Sequence, residues 1–149
     1  MRVLLTAATA ALVAVCCPTP HAIAAPDPDP GTGGPNPPAL SPPFVERTEW
    51  AQWQGRSSLR VFPSAAGRAA SRTPASPAWA DEAWAEVLAL APGADTPGMQ
   101  AQFLCHWQFA ELARPGKTSW NLEPWRPVVD DAEMVASDCN PGGREESFG

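Results

Sequence analysis

A chain of 149 residues, 44% of them hydrophobic, has room for one modest domain. Sixteen acidic residues against ten basic ones leave a net charge of −6 with no run of Lys and Arg, which excludes the basic footprint that nucleic acid binding needs. No apolar stretch reaches the ~20 residues of a membrane-spanning helix.

The chain opens with Met1-Arg2, an apolar run from Val3 to Val15, and small residues that place Ala22 and Ala24 at the −3 and −1 positions of a cleavage site. This is the layout of a secretory signal peptide over residues 1–24. An uncleaved anchor is the other reading, and the run is too short for it. Lipidation at Cys16 or Cys17 would keep the protein on the membrane, but Val15 and Cys16 are poor preceding residues for it. The expected location is therefore extracellular or at the cell envelope. Removal of the signal takes Arg2 with it and leaves nine basic residues, a net charge of −7.

Two cysteines, Cys105 and Cys139, remain in the exported chain, and the simplest expectation is one disulfide between them. Closing a loop of this length stabilises by roughly 3–4 kcal/mol in the chain-entropy model. Residues 25–43 follow the signal, with eight prolines between Pro26 and Pro43. They read as a polyproline-like spacer with nothing to bury.

One globular domain is expected over residues 44–143. FVERTEWAQW reads as a strand, Gln54 to Ser57 as a turn, and Ser58 to Phe62 as a second strand with Leu59 and Val61 on one face and Arg60 opposite. The segment SAAGRAASRTPA, carrying Arg68 and Arg72, reads as a loop. Ser76-Pro77 then opens a helix as N-cap and first residue. Trp79, Ala80, Ala83, Trp84, Val87, Leu88 and Ala91 form its apolar side, opposite Asp81, Glu82 and Glu86, and Pro92-Gly93 ends it.

Thr96-Pro97 repeats the start signal. Met99, Phe103, His106, Trp107 and Ala110 share one face of this second helix, Cys105 lies on its flank with Phe109 and Leu112, and Gln100, Gln108 and Glu111 lie elsewhere. Pro115-Gly116 ends it. An extended arm, KTSWNLEPWRPVV, follows, because Glu123 and Arg126 each precede a proline. A short helical turn is expected before Cys139, and residues 144–149 read as a loose tail. The fold class is α+β: a small antiparallel sheet or hairpin, two packed helices, and a Trp-rich C-terminal arm clipped by one disulfide.

The string QFLCHWQFAELARPGKTSWNLEPWRP, with CNPGG after it, resembles the secreted bacterial family catalogued as domain of unknown function 2599. SLRVFPSAAGR and the AWAEV helix fit the same pattern, so the resemblance covers about Trp50 to Gly143. It implies an exported bacterial protein and no particular activity.

His106 is the one histidine left after export, which excludes zinc sites built on several histidines. Oxidised Cys105 and Cys139 supply no thiolate. No GxSxG elbow or phosphate-cradling glycine loop occurs. Asp130, Asp131, Glu133 and Asp138 lack the spacing of a calcium loop and read as a solvated face. No cofactor or metal is expected.

Two readings of the remaining residues stay open. In the first the chain is a binding module, not an enzyme, with Trp120, Asn121, Trp125 and Arg126 as a recognition platform for a cell-wall glycan or a secreted protein. In the second it is a small hydrolase using His106 with Glu111 or Glu123. Against both stands a purely structural account, in which His106 and the two indoles fill the core and Glu123 pairs with Arg126.

Overall fold

The computed structural model describes residues 40–73 and 77–144. The expected signal peptide, the spacer before Leu40, the Ser76 cap and tail residues 145–149 lie outside these.

Strands β1 (Val45–Trp53) and β2 (Arg56–Pro63) form the expected hairpin. Its two-residue turn is Gln54-Gly55, both with positive φ (47° and 78°), the combination whose twist matches the strands it joins. Strand β3 (Trp120–Leu122) adds antiparallel to β2, pairing Leu59 with Leu122 and Val61 with Trp120. The result is a three-stranded sheet in the order β1-β2-β3.

Among the described residues four α-helices complete the fold: α1 (Ala65–Ser71), α2 (Pro77–Leu90), α3 (Met99–Ala113) and α4 (Asp131–Ala136), with a 3-10 turn at Pro92–Ala94. Helix α1 overturns the loop expected over SAAGRAASRTPA. Its alanines are strong helix formers, and Ser64 caps it, accepting from the Gly67 amide at 3.0 Å while donating to the Pro43 carbonyl at 2.6 Å. Gly67 lets the Phe44 carbonyl come close: a Cβ there would sit 2.1 Å from that oxygen. Helix α3 starts two residues later than Thr96-Pro97 suggested. Pro97 and Gly98 form a turn first, with Gly98 left-handed at φ 84° as the N-cap.

The arm is also not simply extended. It runs as β3 and then turns at Glu123–Arg126, where the Arg126 amide donates to the Glu123 carbonyl at 3.2 Å. Pro124 holds the second position of that turn, where its fixed φ belongs. The short helix expected before Cys139 is α4, capped by Asp130, which accepts from the Glu133 amide at 2.9 Å.

The core lies between the sheet and α2 and α3. Five rings carry it: Phe44, Trp84, Phe103, Trp107 and Trp120. Trp107 meets Trp120 edge-on at 6.1 Å and Phe44 at 5.8 Å, and Phe103 touches Trp84, Trp107 and Trp120. These arrangements suit the ring quadrupoles and add to the area buried. Glu86 of α2 pins the entry to β1, accepting from the Phe44 and Val45 amides at 2.7 Å each. A smaller cluster of Cys105, Met134 and Cys139 joins α3 to α4. The expected disulfide is formed there, Cys105 to Cys139 with an S–S distance of 2.04 Å.

Candidate functional site

The WNLEPWRP arm is first a brace. Trp120 is fully buried in the core, and Asn121, in β3, is 5% exposed with its Oδ1 accepting from Ser119 at 2.8 Å. Gln102 of α3 grips the Glu123 backbone twice, donating to its carbonyl at 3.0 Å and accepting from its amide at 2.9 Å. The Glu123 carboxylate accepts from Ser58 at 3.0 Å and from Arg126 Nε at 2.6 Å, with neither partner of the ion pair in contact with water. Arg126 then donates to the carbonyls of Pro141, Gly143 and Arg144. One guanidinium thus ties the arm to the segment after the disulfide. Of the four residues expected to form a platform, Trp120, Asn121 and Arg126 are interior.

Trp125 is the exception. It is half-buried, its Nε1 donates to the Ser57 carbonyl at 3.1 Å, and two guanidiniums lie close to its ring centroid, the exposed Arg56 at 4.4 Å and the buried Arg126 at 4.7 Å. Arg56 belongs to a stripe that the hairpin register creates. Arg47 faces Phe62, Glu49 faces Arg60 and Trp53 faces Arg56, all on the side of the sheet opposite Leu59 and Val61. Phe62 carries Arg47 at 3.3 Å and Arg60 at 5.2 Å from its centroid. At a rise of ~3.3 Å per residue the stripe from Phe62 to Arg56 runs about 20 Å. It gathers three arginines of an acidic chain, with Glu49 beside Arg47 at 3.4 Å. Sequence reasoning placed Arg60 opposite Leu59 and Val61 but could not see Arg47 and Arg56 beside it, because that needs the register.

His106 sits at the other end of the molecule's chemistry. Its Nε2 lies 3.1 Å from the Asn121 carbonyl, which can only accept, so Nε2 carries the proton and Nδ1 the lone pair. The ring is 3% exposed. Burial above all, then the charge of Lys117, and more weakly those of Arg126 and Arg114, push it down from 6.5 to about 3. It stays neutral at physiological pH. It lines a cleft of about 330 Å³ with Phe109, Arg114, Lys117, Val135 and Asn140.

Neither carboxylate proposed to work with His106 is unpaired. Glu111, expected away from the apolar face of its helix, is buried, and accepts from Arg68, from Arg72 at 3.4 Å and from the Gly116 amide at 3.1 Å. Glu123 is committed to Arg126. No group of three His, Cys, Asp or Glu that could hold a metal ion occurs among the described residues.

Asn140 was not singled out in the sequence. It is 5% exposed, its Nδ2 donates to the Asp138 carbonyl at 2.6 Å, and its Oδ1 is buried with no partner. Asp138 and Cys139, just before it, both adopt positive φ (53° and 64°). Non-glycine residues rarely hold that conformation, and its cost is typically about 1–3 kcal/mol each.

Residues 45–142 match the family model described as protein of unknown function, DUF2599. Uncharacterized proteins of Mycobacterium tuberculosis and of Mycobacterium bovis are each 59% identical over 150 residues, covering 99% of this chain and 100% of the relative. An uncharacterized protein of Mycobacterium leprae is 52% identical over 100 residues, covering 67% of this chain and 80% of the relative. No solved structure matches.

Proposed function

The chain belongs to the DUF2599 family of proteins of unknown function, and on that footing we propose that it is an exported binding module that lays the arginine–aromatic face of its hairpin on an acidic polysaccharide of the cell envelope. The observation that carries this reading is Trp125, half-buried in the turn after β3 with the exposed Arg56 over its ring at 4.4 Å. The Arg56 guanidinium, stacked on that ring, can turn its edge N–H groups to fork a carboxylate, and the stack spares part of the entropy cost of ordering it.

The sparse charge of the stripe sets the ligand class. Three arginines spread along one strand face, with Glu49 beside Arg47, suit the widely spaced carboxylates of a polyuronate better than the dense phosphates of nucleic acid. The buried Glu123–Arg126 pair gives the face its rigidity, because it fixes the turn that carries Trp125. Hydrolysis is the weaker reading. A histidine held near pKa 3 is a poor base at neutral pH, and both candidate carboxylates are occupied by arginines.

Immobilised polygalacturonate is expected to retain the purified chain at low salt and release it as salt rises, whereas neutral dextran does not retain it. The Arg47→Ala/Arg56→Ala variant is expected to pass through unretained. Equal retention of variant and wild type would sink the proposal. Export is read separately from the mass of the protein in the medium, expected to begin at Ala25. An intact chain confined to the cell would contradict it.

A further inference from the structure

We propose that the cleft between the C-terminal half of α3 and the turn after α4 is a second binding site, independent of the hairpin face, for a small hydroxy-acid about the size of one sugar ring. Two of its lining residues, Asn140 and His106, carry acceptor atoms. Asn140 Oδ1 is buried with no partner, and the amide cannot be the other way round, because its Nδ2 faces the Asp138 carbonyl. A buried acceptor left unpaired is costly, and a ligand donor that met it after a small turn of the side chain would recover that cost. His106 lines the same cleft, and its Nδ1 carries a lone pair because Nε2 faces a carbonyl. Two acceptors call for ligand hydroxyl groups.

The charges select against an ammonium donor and for an anion. Arg114 and Lys117 line the cleft, with Asp138 as the one carboxylate among its lining residues. Their field already disfavours a proton on His106. Phe109 is 38% exposed and, with Ala110, Ala113 and Val135, makes an apolar wall for the carbon face of a ring. A volume of about 330 Å³ lies at the small end for ligand pockets. Hydroxyls inward, carboxylate toward Arg114 and Lys117, and ring against Phe109 describe a sugar acid or a molecule of that chemistry.

The test titrates the full chain carrying His21→Ala, in which His106 is the single histidine, with glucuronate, glucose and acetate, and follows the His106 ring signals by NMR. Glucuronate is expected to shift them saturably, with glucose and acetate each at least about tenfold weaker. Lys117→Met is expected to reduce glucuronate to the level of glucose. Asn140→Ala is expected to weaken glucuronate and glucose alike by about tenfold, the loss of one hydrogen bond. If Asn140→Ala does not fold, the Lys117→Met comparison decides alone, because that residue is only half-buried. Glucuronate that leaves the ring signals unmoved, or that binds wild type and Lys117→Met equally, overturns the proposal. So does glucose or acetate binding as tightly as glucuronate. The Lys117→Met comparison separates this site from the hairpin face, because Lys117 lines the cleft and is not part of the hairpin.

Discussion

The carboxylate of Glu123 and the guanidinium of Arg126 meet at 2.6 Å with both side chains entirely out of water. Such a pair is costly to break from one side, because the survivor is a buried charge without a counter-charge; typical losses are about 3–5 kcal/mol. Arg126→Met and Glu123→Leu are each expected to destabilise by roughly that much. The double variant is expected to cost less than the two singles added together, because it removes both charges at once. Urea denaturation of the three variants checks this. Simple additivity would mean that the two groups do not act as a pair.

Gly67 is a second place where a small change meets an unyielding neighbour. A methyl group there runs into the Phe44 carbonyl, which is backbone and is itself held by the Ser64 amide at 2.8 Å. Gly67→Ala is expected to destabilise by about 1–3 kcal/mol, as overpacking does, despite the gain in helix propensity. Gly93→Ala, whose Cβ meets nothing within 4 Å, is the matched control and is expected to leave the melting temperature within a few degrees of wild type. Equal melting temperatures for the two variants would contradict the close approach of α1 to Phe44.

His106 makes stability depend on pH with a definite sign. The unfolded chain takes up a proton on this ring near pH 6.5, and the folded chain holds out to about 3. Between those values the unfolded state binds more protons, so stability rises with pH by up to roughly 1 kcal/mol per unit and is lost as pH falls from 6.5 toward 3. A His106→Gln variant keeps a donor for the Asn121 carbonyl and has no proton to take up. The difference in unfolding free energy between wild type and variant is expected to change steadily between pH 6.5 and 4. A constant difference would mean that the ring titrates normally in the fold.

Reduction of Cys105–Cys139 releases a loop that spans a sequence separation of 34 and frees the segment held by Arg126. The expected loss is roughly 3–4 kcal/mol. Thermal melts with and without a reductant measure it. An unchanged melting temperature on full reduction would show that the buried guanidinium alone holds the C-terminal segment.

Much of this fold is legible in the sequence where a pattern is local. The alternation around Leu59 and Val61 marks the hairpin, the spacing of Met99, Phe103 and Trp107 marks the core face of α3, and the two cysteines outside the expected signal peptide mark the disulfide. The three-residue spacing of Glu123 and Arg126 suggests their pairing. Their complete burial is not visible, because it depends on Ser58, 65 residues away. Helix α1 is hidden by the glycine and serine among its alanines. Glu111 reads as a residue away from the apolar face for the same reason, since its partners Arg68 and Arg72 come from α1 and its edge. The arginine stripe needs the strand register, and the bare acceptor of Asn140 needs the turn after α4. Neither leaves a local trace.

The reading of this chain as a binder stands most directly on one measurement, the affinity of the full chain for polygalacturonate as a function of salt. Wild type is expected to bind with an affinity that falls steadily as salt is raised, because each guanidinium that meets a carboxylate displaces counterions. Arg47→Ala/Arg56→Ala is expected to lose most of the affinity and most of the salt dependence together, while its melting temperature stays that of wild type. An affinity that is absent, indifferent to salt, or unchanged in the variant would contradict the account.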